Sequence, residues 1–148
     1  MIRTKTDSGS VRNACQGFRP HALAFVCWRA LEANELDLMP LQATGLEAMA
    51  DRTPFSFADE DFAYTTLSAA GFDDIMVQAG DAAVSSGSLD AMATVLLRVG
   101  PLGRILRENP GLKVEAEPKL RAALADRENH GAVALRAATW IVTTRPRV

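Results

Sequence analysis

Cysteine and histidine are scarce: Cys15 and Cys27 are the two cysteines and His21 and His130 the two histidines among 148 residues. Two cysteines are too few for a disulfide framework or a zinc site, so the default expectation is a reducing, cytoplasmic compartment. The histidines lie at opposite ends of the chain with no HExxH pattern and no Cys/His cluster, which argues against a metal centre. Gly100 and Gly103 form the one close glycine pair, so neither a dinucleotide fingerprint nor a phosphate-cradling loop is present. Long hydrophobic runs are missing too. The longest, Ala22 to Trp28, meets Arg29 far short of the roughly 20 residues that cross a bilayer, and no membrane role is expected. The basic, acid-poor start (Arg3, Lys5, Arg12 and Arg19 against Asp7) precedes that run, yet the run is short and no small-residue cleavage site follows. A targeting peptide is therefore not expected.

What is present suits one globular domain. The chain is 48% hydrophobic and 23% charged, and a domain of this length buries about two-thirds of the surface its unfolded chain exposes. Charge is unevenly divided. Residues 1–29 carry five Lys/Arg against one acid, residues 30–90 one Arg against twelve acids, and residues 91–148 ten Lys/Arg against five acids. The three segments should attract one another. So acidic a middle argues against a dedicated nucleic-acid binder, and ordinary solvated faces account for it.

Hydrophobic patterning places the elements. Residues 1–16 read as a poorly ordered segment, with one or two helical turns at Val11 to Gln16. His21 to Trp28 (HALAFVCW) reads as a strand buried on both faces. Residues 30–54 read as a loop holding one short helix, Leu41 to Met49. Asp59 to Ala70 has a capping aspartate, Glu60 and Asp61 at the positive end of the dipole, and Gly71 as a left-handed stop. Phe62, Thr66, Ala69 and Ala70 share one side of that helix. Asp73 to Gln78 reads as a second strand. From Ser88 the spacing turns helical: Leu89, Met92, Ala93, Leu96, Leu97 and Val99 form a stripe ended by Gly100-Pro101. A helix from Pro101 to Glu108 closes at Asn109-Pro110-Gly111, and Pro118 opens a third, Lys119 to Arg127. Gly131 to Thr144 reads as one long strand, better in its half from Ala138 to Thr143. No repeat or linker divides residues 17–148.

Catalytic constellations are few. Cys27 beside Arg29 has the form of a stabilised thiolate, but no base accompanies it, and a buried, inert cysteine explains the position better. Asp59, Glu60 and Asp61 are explained by the helix start without a catalytic role. Trp140 reads as core, on a strand with both faces covered.

Four segments carry a resemblance to a known family. FRPHALAFVCWRALEANE resembles the fifth strand and following loop of class I S-adenosylmethionine-dependent methyltransferases, and PFSFADEDFAYTTLSAAGFDDIMVQ their next helix and sixth strand. SLDAMATVLLRVGPLGRIL is similar to a helical insertion of one subfamily, and AVALRAATWIVTTRP to the last strand. The match spans roughly residues 17–147 and only the family's C-terminal half. It implies an α/β, partial doubly wound (Rossmann-like) sheet of about three strands, the last antiparallel between the other two, with a helical insertion before it. It implies S-adenosylmethionine as cofactor and a small molecule as substrate, with Cys27, Trp28, Arg29, Phe55 and Phe57 lining the substrate pocket. No cofactor-binding residue carries over, because nothing between Met1 and Gln16 matches the family's glycine-rich turn or its acidic residue, and the usual Gly-Gly before strand five is Pro20-His21-Ala22 here.

The expectation is a truncated methyltransferase-type chain, inactive alone. Its exposed sheet edge should favour a homo-oligomer or a complementing protein partner. The alternative is a non-enzymatic interaction module that uses that edge or the helical insertion.

Overall fold

The structure, a computed structural model, describes residues 22–147. The readings for residues 1–16 and for His21 lie outside the described residues. β1 (Leu23–Trp28) forms where aromatic and branched residues crowd together, and Arg29 follows it. α1 (Glu35–Thr44) comes next, then α2 (Glu60–Ala69), β2 (Phe72–Ala79), β3 (Ala82–Gly87) and α3 (Leu89–Leu96). α4 (Gly100–Glu108), α5 (Lys113–Ala125), β4 (Glu128–Asn129), β5 (Ala132–Ala137) and β6 (Thr139–Pro146) complete the order.

The described residues are mixed α/β, with two three-stranded antiparallel sheets. In the first, ordered β1-β6-β2, β6 runs antiparallel to both neighbours, so β1 and β2 are parallel to each other. The last strand therefore lies between the other two, the position the resemblance implied. The second sheet, β3-β5-β4, was not expected. β3 (AAVSSG) is exposed along its whole length and holds one large apolar residue, which leaves no alternation to read.

The expected long strand over residues 131–144 breaks at Ala138. Burial falls on Val133, Leu135 and Ala137, then shifts phase to Ala138, Val142 and Thr144. A one-residue phase change turns the inward side chains to the other face, and here it hands the chain from one sheet to the other. Asn34 fixes the corner. Fully buried, its Oδ1 accepts the Ala138 N–H at 2.7 Å, while its Nδ2 donates to the carbonyls of Arg29 (3.2 Å) and Ala30 (3.1 Å).

Several helices start elsewhere than the sequence suggested. α1 precedes the expected Leu41–Met49 helix because Pro40, read as a breaker, sits inside it. Proline removes one bond, to the carbonyl four residues back, and here that carbonyl belongs to the first turn, at Leu36. Thr44 Oγ1 donates to the Pro40 carbonyl at 2.8 Å, and left-handed Gly45 ends the helix. Pro118 likewise lies within α5, and its missing partner is Val114, a residue 86% exposed. α2 has the expected span and cap, with Asp59 Oδ1 accepting the Phe62 N–H at 3.0 Å. It buries Ala63 and Leu67, however, and leaves Phe62, Thr66, Ala69 and Ala70 outside. Small Ala63 lets the helix lie close against the sheet.

The main core lies between the helices and the inner face of β5: Leu31, Leu41, Met92, Leu102, Leu120, Leu124, Val133 and Leu135 are almost wholly enclosed. Each such side chain gains about 1.5–3 kcal/mol on leaving water. α4 sits so tightly that a Cβ on Gly103 would come within 2.3 Å of the Arg98 carbonyl carbon.

The first sheet is built differently, and here the expectation of burial on both faces fails. One face carries Val142 and Thr144 and is covered by α2. The other leaves Val26 (64% exposed), Met76 (56%) and Ile141 (42%) open, and meets the helical core at its Trp28 end. Trp140 is only half-buried.

The charged segments do meet. Acids of the middle segment pair with arginines of the last: Glu35 with Arg127 (2.9 Å), Asp51 with Arg104, Asp73 with Arg147 (2.8 Å), Asp74 with Arg145 (3.9 Å) and Asp90 with Arg121 (2.5 Å). These exposed pairs orient the surface more than they stabilise it.

Candidate functional site

Cys27, Trp28 and Arg29 follow one another at the end of an extended strand, and successive side chains on a strand point to opposite faces. The residues therefore cannot share one pocket wall. Cys27 lies opposite Trp140 in the ladder, on the face covered by α2. Arg29 returns to that face with its guanidinium carbon 4.8 Å from the centre of the Trp140 ring, within cation–π range. Its Nη1 also meets Asp81 Oδ1 at 3.0 Å. Trp140 Nε1 donates to the Ala58 carbonyl at 2.9 Å, which fixes the plane of the ring.

Trp28 turns to the other face and packs against Phe55, with ring centres 6.4 Å apart. Phe55 is buried within the helical core. Phe57, two residues on, takes the opposite course and meets Phe25 edge-on at 6.4 Å and Phe62 at 5.8 Å. The five residues expected to line a pocket thus divide: Cys27, Arg29 and Phe57 go to the α2 side, and Trp28 and Phe55 form a separate stack.

The cluster the structure does assemble is Arg29, Trp140 and Asp81, close to Cys27. Because β1 and β2 are parallel, Arg29 just after β1 and Asp81 just after β2 lie at the same end of the sheet. Asp81 carried no motif, and Trp140 read as ordinary core. Asn34, which holds the Arg29 carbonyl from beneath, falls within the expected loop of residues 30–54; it stands at the start of α1, and its side chain makes no capping bond there.

Burial pushes the Cys27 thiol up, which keeps it protonated near neutral pH. Arg29 is engaged by Asp81 and Trp140 rather than poised as a partner for a thiolate. Burial likewise raises Glu35, but the Arg127 guanidinium and the Arg136 N–H outweigh it and hold that carboxyl below its ordinary range. Asp37, buried in the first turn of α1 against Gly100, is pushed up to about 6 by desolvation.

Away from this cluster, a concavity of about 280 Å³ opens beside Thr44, Gly45, Leu112 and Ala116, where the Glu115–Lys119 ion pair forms its rim. It lies at the far end of α1, roughly 15 Å along the helix from Asn34. Among the described residues, no three His, Cys, Asp or Glu side chains gather to hold a metal, and no helix is long and apolar enough to cross a membrane.

The Arg29–Trp140–Asp81 cluster offers a cation, an aromatic face and a carboxylate. That set suits gripping and orienting a small polar molecule. No family model matches the chain, and no curated protein matches it.

Proposed function

We propose that residues 22–147 form the acceptor side of an S-adenosylmethionine-dependent methyltransferase-type, Rossmann-like fold that handles a small molecule. The observation that carries this reading is the first sheet. An antiparallel last strand lies between two parallel ones in the order the resemblance requires, and the Arg29–Trp140–Asp81 cluster stands at the carboxyl ends of the parallel pair. Open α/β sheets bind ligands at those ends. Methyl transfer from a sulfonium needs orientation more than proton transfer, and orientation is what these three residues can provide.

The described residues do not fit the donor itself. β1 leads into a turn without glycine, and β2 leads through Gly80 and Asp81 directly into β3. α4 does begin at a glycine, but the buried Asp37 carboxylate already lies against it, 3.0 Å from where a Cβ would stand. On this reading the donor is held by residues outside the described chain, and residues 22–147 alone transfer no methyl group.

Calorimetric titration of the chain with S-adenosylmethionine should give no saturable heat. The DNA upstream of the start codon, translated in three frames, should encode a strand followed by Gly-x-Gly-x-Gly. Saturable heat from the chain alone overturns the division of labour, and the lack of such an upstream segment favours the interaction-module reading, which the bare face of the first sheet also supports.

A further inference from the structure

Among the described residues the two sheets have four outer edges, and three carry features that block another strand. β2 is bulged between Asp73 and Met76, holds Asp74 at φ 50° and carries two adjacent acids. β3 slips register between Val84 and Gly87, where Ser85 Oγ turns inward to the Val133 carbonyl. β4 is two residues long. Bulges, edge charges and short length are the devices that keep edge strands from pairing with other chains. β1 has none of them: it pairs with β6 in unbroken register from Leu23 to Trp28, without a charge or a proline.

The ladder also fixes which groups face outward. The Arg29 N–H donates to the Ala138 carbonyl at 3.0 Å, and these two residues lie opposite each other in the continued register. Bonded and unbonded pairs alternate in an antiparallel ladder, so Leu23, Phe25 and Cys27 bond to β6. Ala24, Val26 and Trp28 turn their backbone groups away from it. The Gly80 N–H on the Thr139 carbonyl, at 2.8 Å, gives the same phase from the other side of β6.

The geometry points to a second copy of this chain as the occupant of that edge, β1 pairing antiparallel with β1 across a two-fold axis at Val26. Val26 then meets its own copy and Ala24 meets Trp28, which uses all three outward-facing residues in about six backbone hydrogen bonds. Charge favours self-pairing here and nowhere else in this sheet. Two copies of β1 bring no like charges together, whereas two copies of β2 would set Asp73 and Asp74 against themselves. The exposed strip of Val26, Ile141 and Met76 continues across the axis, as an isologous contact requires. The inference goes beyond the proposed function and describes this chain by itself, since the remainder of a methyltransferase-type sheet would claim the same edge of β1.

Sedimentation analysis of the full chain at micromolar concentration should show a dimer. Val26→Lys places like charges opposite each other, and Val26→Pro removes an outward N–H that β6 does not use. Each should weaken the dimer by about tenfold or more, while Val26→Thr preserves it and circular dichroism verifies the fold. Should the first two variants not fold, Phe25→Cys supplies a second test, because position 25 then faces Cys27 of the partner subunit in an unbonded pair at disulfide distance. Oxidation should link those two positions, as peptide mass spectrometry would show. A monomer, a dimer indifferent to Val26→Lys and Val26→Pro, or no such link under oxidation overturns the proposal.

Discussion

The helical half of the molecule and its first sheet bury their apolar residues in different ways. α1, α3, α4 and α5 close around Leu120, Leu124 and the inner residues of β5, and the enclosed side chains there are large and aliphatic. The first sheet encloses chiefly Val142, Thr144, Ala63 and Leu67 on one face, and on the other it leaves Val26, Met76 and Ile141 in water. Stability is therefore concentrated in the helical half, to which the segment likened to a helical insertion contributes α3 and α4. The candidate site belongs to the thinner part and depends on a few polar ties, above all Asn34 and the Trp140 Nε1 bond to Ala58. A site can rest on such a sheet because its anchoring residues are shared with the better-packed half.

The largest expected effect tests that contrast directly. Leu120→Ala keeps helix propensity high and leaves a cavity in the helical core, so it should cost about 2–5 kcal/mol in urea unfolding. Val26→Ala on the bare sheet face should change stability by less than about 0.5 kcal/mol. Equal losses would mean that the first sheet is as well enclosed as the second half. Next comes the tie between the halves. Asn34→Leu removes the acceptor of the Ala138 N–H and the donor to two carbonyls, and each buried group left unpaired costs about 1–3 kcal/mol. A loss of about 2–4 kcal/mol is expected, together with faster hydrogen exchange at Ala138. A change under about 1 kcal/mol would show that water replaces the side chain at little cost and that the corner is not a true joint.

How much of this was legible in the sequence follows from the range of each interaction. Asp59 with Glu60, Asp61 and Gly71 marks α2 because capping is local, and the stripe from Leu89 to Leu97 marks α3 because its partners repeat at helical spacing. Val99 lies outside that stripe in the structure, 62% exposed, since the chain has already turned toward Gly100. The break at Ala138 was not legible. It is decided by a bond to Asn34, more than one hundred residues earlier in the chain. Pro40 and Pro118 misled because the cost of an interior proline depends on which carbonyl it strands. At the site, the run Cys27-Trp28-Arg29 was visible as a run, but strand alternation divides its side chains, and Asp81 and Trp140 join Arg29 through pairing that no local pattern records.

The helical half also contains a charge that works against it. Burial pushes Asp37 up to about 6 from an unfolded value near 3.8. The folded state therefore binds more protons than the unfolded state between those values, and stability falls as pH rises from about 4 to about 6, then levels off. A shift of that size corresponds to about 3 kcal/mol at neutral pH. Asp37→Asn should recover a substantial part of it, roughly 1–3 kcal/mol, and flatten this portion of the profile. Urea midpoints between pH 4 and pH 8 for the two proteins measure both effects. An unchanged slope would mean that the carboxylate is already compensated in the folded state.

A small effect is expected at the candidate site as well. Asp81→Asn breaks the ion pair to Arg29, whose side chains are 29% and 44% exposed on the two partners. Pairs this open contribute at most about 1 kcal/mol, and Arg29 keeps its place over the Trp140 ring with its carbonyl still held by Asn34. Unfolding stability should therefore fall by less than about 1 kcal/mol, with the native tryptophan emission little changed because the Trp140 Nε1 bond to Ala58 persists. A loss above about 2 kcal/mol would exceed what an exposed ion pair supplies. It would place Asp81 among the joints of the molecule and remove the distinction between a packed half and a sheet tied on by a few polar contacts.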